Sequence, residues 1–304
     1  MTRQEAEQRV IALIGELGPM RGKELHAKLG EMDYLTLWQA CFLSERLQIS
    51  QFSRYYLRYD ITREDLIRIS PSILRDFLSF TIISLPEQRN LVMERLVRLS
   101  NEHREISIWK MGLARRIMMG VVDILEPLQM NKMCGFLAGD LCYFLGHSEP
   151  RDVPSIGQTV NGSDIDIIIV HDGLDEETIA AMDEIVMASK NYYLRHPDFV
   201  QEVDFIIKSM DKLMGQFGYK GIKDKIASKI VYESLFLAGS VEFYDRILEK
   251  LKWTGAYKKI QDDFETGLAS RAETIRELRD VSLERYDENT RSLFYFSQER
   301  VEFE

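Results

Sequence analysis

The sequence predicts an α+β protein with helical segments towards both ends and a mixed sheet in the middle. In the first and last parts of the chain, apolar residues recur every three or four positions, which places them on one face of a helix. Between these parts, buried strands are predicted at Met133–Ala138, Ser163–Val170 and Glu202–Ser209, each of which contains a short apolar run next to Gly or Asp.

The composition is that of a folded protein with two or three domains. The chain has 304 residues, of which 45% are hydrophobic and 29% charged. Cys41, Cys134 and Cys142 have no metal-binding spacing, so we expect reduced, buried thiols. The first residues have no apolar signal core, and no apolar run approaches the ~18 residues of a membrane span. We therefore expect a soluble, cytoplasmic protein with no membrane partner.

The net charge of −10 is unevenly distributed. Residues 1–130 carry 18 Lys and Arg against 17 Asp and Glu, whereas residues 131–304 carry 21 against 32. A large sequence-independent grip on nucleic acid needs clustered cations, and the overall acidity argues against it. Only a small basic face in the first half remains compatible with these numbers.

The N-terminal 61 residues predict three helices and a hairpin. Thr2 and Glu5 have capping-box spacing and begin a helix that ends at Gly18. Helices are predicted at Lys23–Leu29 and at 34–47, and the aromatic and β-branched stretch after them, QISQFSRYYLRYDI, predicts a β-hairpin.

This order of elements resembles a winged helix-turn-helix, and we assign residues 1–61 to it. The resemblance implies that the third helix enters a DNA major groove and that the hairpin is the wing. Arg54 and Arg58 in the hairpin either contact phosphates or decorate a solvated edge, and winged helices also dock proteins. The expected partner is thus nucleic acid or protein.

Residues 62–126 predict a helical connector, interrupted at Pro71 and Pro86. The central unit then begins with the strand Met133–Ala138, after which Gly139 allows a tight turn or a close approach of the backbone to a ligand. Asp140 is predicted to begin a helix whose positive end faces the turn. The Gly- and Pro-rich stretch 146–162 predicts a loop that closes near a substrate.

Two carboxylates stand at the mouth of the next strand. Asp164 and Asp166 are two residues apart, so a strand directs both to one face, with Cα atoms about 7 Å apart. Ionised carboxylates beside an apolar core are costly unless they are paired or bind metal. Asp204 enters the following strand in the same manner, with Glu202 as the competing candidate.

These residues resemble the DNA-polymerase-β-like nucleotidyltransferase superfamily. Its strand–turn–helix, Asp-x-Asp strand and third Asp-bearing strand correspond to FLAGD, GSDIDIIIV and EVDFII within residues 127–212. The resemblance implies that Asp164, Asp166 and Asp204 hold two magnesium ions. One ion would bind a nucleoside triphosphate such as ATP, and the other would help an acceptor hydroxyl attack the α-phosphate.

One position departs from the family pattern. In the family, the turn after the first strand usually carries Gly followed by Ser, and both meet the triphosphate. Here Gly139 matches the Gly, but position 140 is Asp. A carboxylate repels a phosphate unless a cation lies between them. Either Asp140 points away and only its amide serves, or the nucleotide sits differently, or activity is altered or lost. Ser163 offers a hydroxyl nearby.

Residues 213–304 predict a helical domain. Lys225 and Lys229 share a helix face there, and by resemblance one of them would neutralise triphosphate charge, the alternative being two solvated lysines. Two functions follow from the sequence. The first is a magnesium-dependent nucleotidyltransferase acting on a hydroxyl of a nucleic acid, a protein or a small molecule. The second is a non-catalytic regulator that senses a nucleotide or binds DNA or protein through the winged helix.

Overall fold

The computed structural model describes residues 2–30, 32–60, 66–153, 157–282 and 286–299, and it confirms the α+β class. The α-helices of these residues are α1 (Arg3–Leu17), α2 (Gly22–Leu29), α3 (Tyr34–Phe42), α4 (Ile73–Phe80), α5 (Arg89–Asp123), α6 (Pro127–Met130), α7 (Glu176–Arg195), α8 (Met210–Gln216), α9 (Ile222–Glu233), α10 (Val241–Trp253), α11 (Ala256–Asp280) and α12 (Glu288–Phe294).

The strands of the same described ranges are shorter and form four separate sheets. They are β1 (Met20–Arg21), β2 (Gln48–Gln51), β3 (Tyr56–Tyr59), β4 (Ile67–Ser70), β5 (Thr81–Ser84), β6 (Met133–Ala138), β7 (Pro150–Val153), β8 (Gln158–Asn161), β9 (Ile165–His171), β10 (Val203–Ser209) and β11 (Leu235–Gly239). Within the described ranges, no helix is both long and apolar enough to cross a membrane.

The chain divides into two compact units. The first comprises Met1–Tyr56, Arg68–Glu102 and Thr266–Glu304, and the second Leu57–Ile67 and His103–Glu265. The proposed ranges 1–61, 62–126, 127–212 and 213–304 stay predictions. Their secondary structure needs correction in two places, because β4 and β5 lie in the range predicted to be a helical connector and β11 lies in the range predicted to be wholly helical.

In the first unit, α1, α2 and α3 pack on a three-stranded antiparallel sheet in the order β1–β5–β2. The capping box of α1 forms as predicted, with the Glu5 amide donating to Thr2 Oγ1 and the Thr2 amide to Glu5 Oε2. Gly18 ends the helix in a positive-φ conformation, at +85°.

The predicted hairpin at 48–61 is wrong. Strand β2 pairs with β5 rather than with β3, and β3 pairs with β4 in a separate ribbon. Between β2 and β3, Ser53 and Tyr55 donate hydrogen bonds to the buried Asp76 carboxylate, the latter at 2.7 Å. These bonds draw the chain away from β2, whose free edge is taken by β5 some thirty residues later.

The C-terminal segment of the first unit, Thr266–Glu304, completes its core. The Gln39 side-chain amide on α3 donates to the carbonyls of Leu278 and Val281, both at 2.8 Å. Phe294 packs edge-on to Trp38, with ring centroids 5.8 Å apart. Helix α3 is consequently covered: every residue from 35 to 41 is buried.

The second unit is built on a four-stranded mixed sheet in the order β10–β9–β6–β11. Strands β6, β9 and β10 lie within two residues of their predicted bounds. Strands β9 and β10 are parallel and β6 is antiparallel to β9, with a core supplied by α5, α7 and the sheet. The stretch 146–162, predicted to be a loop, contains the antiparallel pair β7 and β8; its residues 154–156 lie outside the described residues.

A buried ion pair attaches the C-terminal segment to the first unit. Arg271 on α11 donates to Asp76 Oδ2 and to the Pro71 carbonyl, both at 2.8 Å, and its guanidinium lies 4.9 Å from the Tyr55 ring centroid. The Asp76 side chain is 3% exposed.

We predict that Arg271→Met lowers the free energy of unfolding by about 3 kcal/mol, because it leaves the Asp76 carboxylate buried without its cation. The matched control is Arg276→Met, which removes an exposed arginine of the same helix and should cost less than about 0.5 kcal/mol. Equilibrium urea denaturation measures both variants. Equal losses would contradict the importance of this ion pair.

Candidate metal centre

Three predicted carboxylates come together at one end of the central sheet. Asp164 precedes β9, Asp166 is its second residue, and Asp204 is the second residue of β10. The parallel register pairs Asp204 directly with Asp166. One carboxylate oxygen from each of the three aspartates lies within 4.8 Å of those of the other two, a spacing that allows a shared cation.

The Asp166 carboxyl is the electrostatic focus of this group. Burial raises its pKa well above the ordinary range, and the charges of Asp164, Asp140 and Asp204 raise it further. Lys229 lowers that pKa, but by less than the other causes raise it. The centre therefore holds more negative charge than its neighbours neutralise, which is the condition under which carboxylates bind a hard cation.

Glu202, the competing candidate, has a different partner. Its Oε2 accepts a 2.5 Å hydrogen bond from Arg151 Nη2 on β7, and the same nitrogen is 3.9 Å from Asp164 Oδ2. The Arg151 Nε donates to the Gly162 carbonyl at 2.8 Å. The β7–β8 pair thus brings a cation to the edge of the centre, a feature that the prediction of a loop missed.

Lys190 is a second cation that the sequence did not indicate. It lies on α7, and its Nζ is 2.7 Å from Asp204 Oδ1. A single lysine in a charged amphipathic helix carries no motif, so its position could not be distinguished from a solvated face.

Gly139 fits against the centre because it has no side chain. Its φ is +80°, and a Cβ atom would lie 2.6 Å from Asp166 Oδ2. Its amide donates to Glu233 Oε1 at 3.2 Å. The close approach that was predicted for a ligand is thus made to Asp166.

Glu233 is a buried carboxylate at the same turn. Besides the Gly139 amide, it accepts from the Tyr143 hydroxyl at 3.2 Å and from Lys229 Nζ at 2.7 Å. Burial raises the pKa of Glu233, and Lys229 counteracts this rise. An amide, a hydroxyl and an ammonium group, all of which can bind an anion, therefore converge on a buried carboxylate that no sequence pattern indicated.

Asp140 is held by Ser163. The Ser163 hydroxyl donates to Asp140 Oδ2 at 2.6 Å and accepts from the His147 amide at 3.1 Å. Burial, together with the charge of Asp164, raises the pKa of Asp140 to about 6. The helix predicted to begin here is instead a 3-10 turn, Asp140–Tyr143, which is too short to develop the expected dipole.

The two predicted lysines of α9 have separate partners. Lys229 contacts Glu233 and acts on Asp166, as described above. Lys225 lies 3.6 Å from Asp263 Oδ2 and about 5.5 Å from the ring centroids of Tyr59 and Tyr219. Within the described residues, Lys229 is the one of the two lysines that interacts with the metal centre, through Asp166.

Lys110 on α5 is a buried lysine close to the aspartates. Its Nζ donates to the carbonyls of Asn161 and Ser163 and to Gln201 Oε1. A sequence signal did exist, because Lys110 continues the apolar stripe formed at helical spacing by Ala114 and Ile117. A cation in such a stripe is unusual enough to mark a buried contact.

Comparison with known proteins adds no relative. The chain matched no protein family, no curated protein and no solved structure. The residues and their geometry carry the functional interpretation.

We predict that Gly139→Ala weakens Mn²⁺ binding by at least about tenfold, since the added methyl must displace the Asp166 carboxylate and small displacements of ligands disrupt a metal centre. Gly173→Ala is the matched control, because Gly173 also has a positive φ, +66°, but a Cβ there would meet no atom within 4 Å. Titration calorimetry with Mn²⁺ compares the two. Similar binding by both variants would show that the close approach is unimportant.

Proposed function

We propose that the protein is a magnesium-dependent nucleotidyltransferase, which moves a nucleoside monophosphate from a nucleoside triphosphate to a hydroxyl of a nucleic acid, a protein or a small molecule. The observation that carries this proposal is the convergence of Asp164, Asp166 and Asp204 on two parallel strands in register. The proposed enzyme works in the cytoplasm, in keeping with its free cysteines.

The donor set fits magnesium. Three carboxylates supply hard oxygen ligands, and a bound cation would offset the burial and the repulsion that together raise the pKa of Asp166. Paired magnesium ions would supply charge neutralisation for the attacking and leaving oxygens of an in-line displacement. The contribution of the chain is to hold the three carboxylates in place and to present cations around them.

Two cationic side chains lie where they could contact the phosphates of a nucleoside triphosphate. Arg151 is at the edge of the centre, beside Asp164, and Lys190 is beside Asp204. In the described structure each is engaged with a carboxylate, at 2.5 Å from Glu202 and 2.7 Å from Asp204. A triphosphate with its magnesium would exchange these pairs for contacts of the same kind, since guanidinium and ammonium groups bind phosphate as they bind carboxylate.

A non-catalytic nucleotide sensor is the second candidate, and the Gly139 turn favours it. The two groups expected to meet a triphosphate at this turn, the Gly139 amide and the nearby Ser163 hydroxyl, are hydrogen-bonded within the protein, Gly139 to Glu233 and Ser163 to Asp140. Nucleotide binding at this turn would have to displace those bonds. Such a cost is compatible with a protein that binds a nucleotide and responds to it without turning it over.

The winged-helix proposal for the first unit rests on the order of α1, β1, α2 and α3 and on the sheet β1–β5–β2. Helix α3 contains no Lys or Arg, and residues 35–41 are buried. Reading a DNA groove needs exposed side chains on the recognition helix. A protein partner or a structural role is therefore better supported for this unit than direct DNA reading.

We predict that the wild-type protein releases pyrophosphate from at least one α-labelled nucleoside triphosphate in the presence of Mg²⁺, and that Asp166→Asn reduces transfer by more than about 100-fold through loss of a ligand. The assay supplies total RNA, a protein extract and a small-molecule extract as separate acceptors. Asp172→Asn, an exposed carboxylate beyond the opposite end of β9, is the matched control and should retain activity.

The outcomes separate the two candidate functions. Label transfer that requires Asp166 supports the enzyme. Binding of a labelled triphosphate without transfer to any acceptor supports the sensor. If the wild type bound neither Mn²⁺ nor a nucleotide, both candidate functions would be overturned.

We also predict opposite effects of Asp166→Asn on stability. Without divalent cations, the variant should melt at least about 2 °C above the wild type, because Asn removes a carboxyl group whose ionisation is opposed first by burial and then by the neighbouring carboxylates. With Mg²⁺, the wild type should gain stability by ligand linkage and the variant should not. Thermal melts in EDTA and in Mg²⁺ measure both effects. A lower melting temperature for the variant in EDTA would contradict the proposed repulsion.

A further inference from the structure

Lys110 is buried beside the metal centre with no carboxylate among its three hydrogen-bond acceptors. The residue is 1% exposed. Its ammonium group donates to the Asn161 carbonyl at 2.7 Å, to the Ser163 carbonyl, and to Gln201 Oε1 at 2.5 Å. An ammonium group has three donors, so these bonds use all of them.

The first two acceptors fix the bend that leads into Asp164. Between Asn161 and Ser163, Gly162 has a φ of +70°, and a Cβ there would lie 1.7 Å from the His147 carbonyl oxygen. The Gly162 carbonyl is itself held by Arg151. The bend is therefore determined by a backbone conformation that favours glycine and by two cations that bind its three successive carbonyls.

The third acceptor, the Gln201 side chain, lies on the segment that leads into Asp204. Gln201 lies three residues before it, and its side-chain amide donates to the Phe199 carbonyl at 2.6 Å. The backbone joins the two approaches, from the Asn161 amide to the Val200 carbonyl at 2.9 Å. Lys110 thus contacts the lead-in segments of both strands that carry the aspartates.

We propose that Lys110 is a positioning residue, which sets the spacing between the Asp164 and Asp204 carboxylates; this role rests on the metal centre of the proposed function. An ammonium group is costly to bury, and a neutral core residue would fit the apolar stripe of α5 at lower cost. The three short contacts offset that cost by fixing two backbone segments at once.

Positioning and simple charge make opposite predictions for metal affinity. Burial lowers the pKa of Lys110 to about 8, and the nearby charges of Asp140 and Asp164 oppose this lowering. If the charge of Lys110 alone mattered, its removal would strengthen cation binding by removing a repulsive neighbour. If the positioning role holds, removal loosens the carboxylates and weakens binding despite the more favourable electrostatics.

The test is Mn²⁺ binding to Lys110→Met in the full chain, measured by the electron paramagnetic resonance signal of free Mn²⁺. We expect binding at least about tenfold weaker than in the wild type, the size of effect found for outer partners of metal ligands. The experiment needs neither substrate nor turnover.

Lys208→Met is the matched control. Lys208 is a half-buried lysine of the same unit, whose Nζ donates to Gln216 Oε1 at 3.1 Å and whose pKa is lowered by burial. It lies on β10, four residues beyond Asp204, and this hydrogen bond is to α8 rather than to the segments that Lys110 contacts. We expect its Mn²⁺ affinity to equal that of the wild type.

Gln201→Leu retains the lysine but removes one of its acceptors, and it replaces Lys110→Met should that variant fail to fold. Its expected loss of Mn²⁺ affinity is smaller, about threefold, in line with the loss of one hydrogen bond. Binding by Lys110→Met or Gln201→Leu that equals or exceeds that of the wild type overturns the positioning role alone. An equal loss in Lys208→Met also overturns it. Absence of Mn²⁺ binding by the wild type instead overturns the metal centre and the proposed function.

Discussion

Repulsion among carboxylates at the entry to β9 and β10 is the constraint on which the second unit depends. Asp164, Asp166 and Asp204 converge there, and Asp140 adds to their field. The surrounding cations are largely committed: Arg151 to Glu202, Lys229 to Glu233, and Lys110 to carbonyl and amide oxygens. The unit thus holds its acids together through the sheet and the fixed turns, and leaves part of their charge for a cation to neutralise.

The sheet can impose this arrangement because its register is strongly specified. Strands β9 and β10 are parallel neighbours connected through α7, and β9 is buried along most of its length. A shift of one residue would exchange the two faces of β9 and carry the Asp166 carboxylate onto the apolar face formed by Ile165, Ile167 and Ile169. The cost of that slip keeps Asp204 opposite Asp166. Packing energy from the apolar residues therefore maintains a charge distribution that is unfavourable by itself.

Sequence patterns predicted the parts of the fold whose cause is local. Strands β6, β9 and β10 are continuous apolar runs, and the Asp-Ile-Asp spacing placed two carboxylates on one face. Strands β5 and β11 were missed because their identity depends on distant partners, β11 on a strand some hundred residues earlier. Lys190 and Glu233 were missed for a related reason: a charged residue in a helix has the same pattern whether it faces water or a buried carboxylate.

The turn after β6 has a consequence for how a nucleotide would bind. A 3-10 turn of four residues contributes little dipole, and the Gly139 amide and Lys229 are directed at Glu233. The charge of a triphosphate would then be met mainly by side-chain cations and by metal ions rather than by backbone amides. Because Glu233 is buried, releasing Lys229 from it would leave a carboxylate without its cation. Under the proposed function, binding through the metal centre with Lys229 left in place would avoid that cost and would make the three aspartates the main determinant of nucleotide affinity.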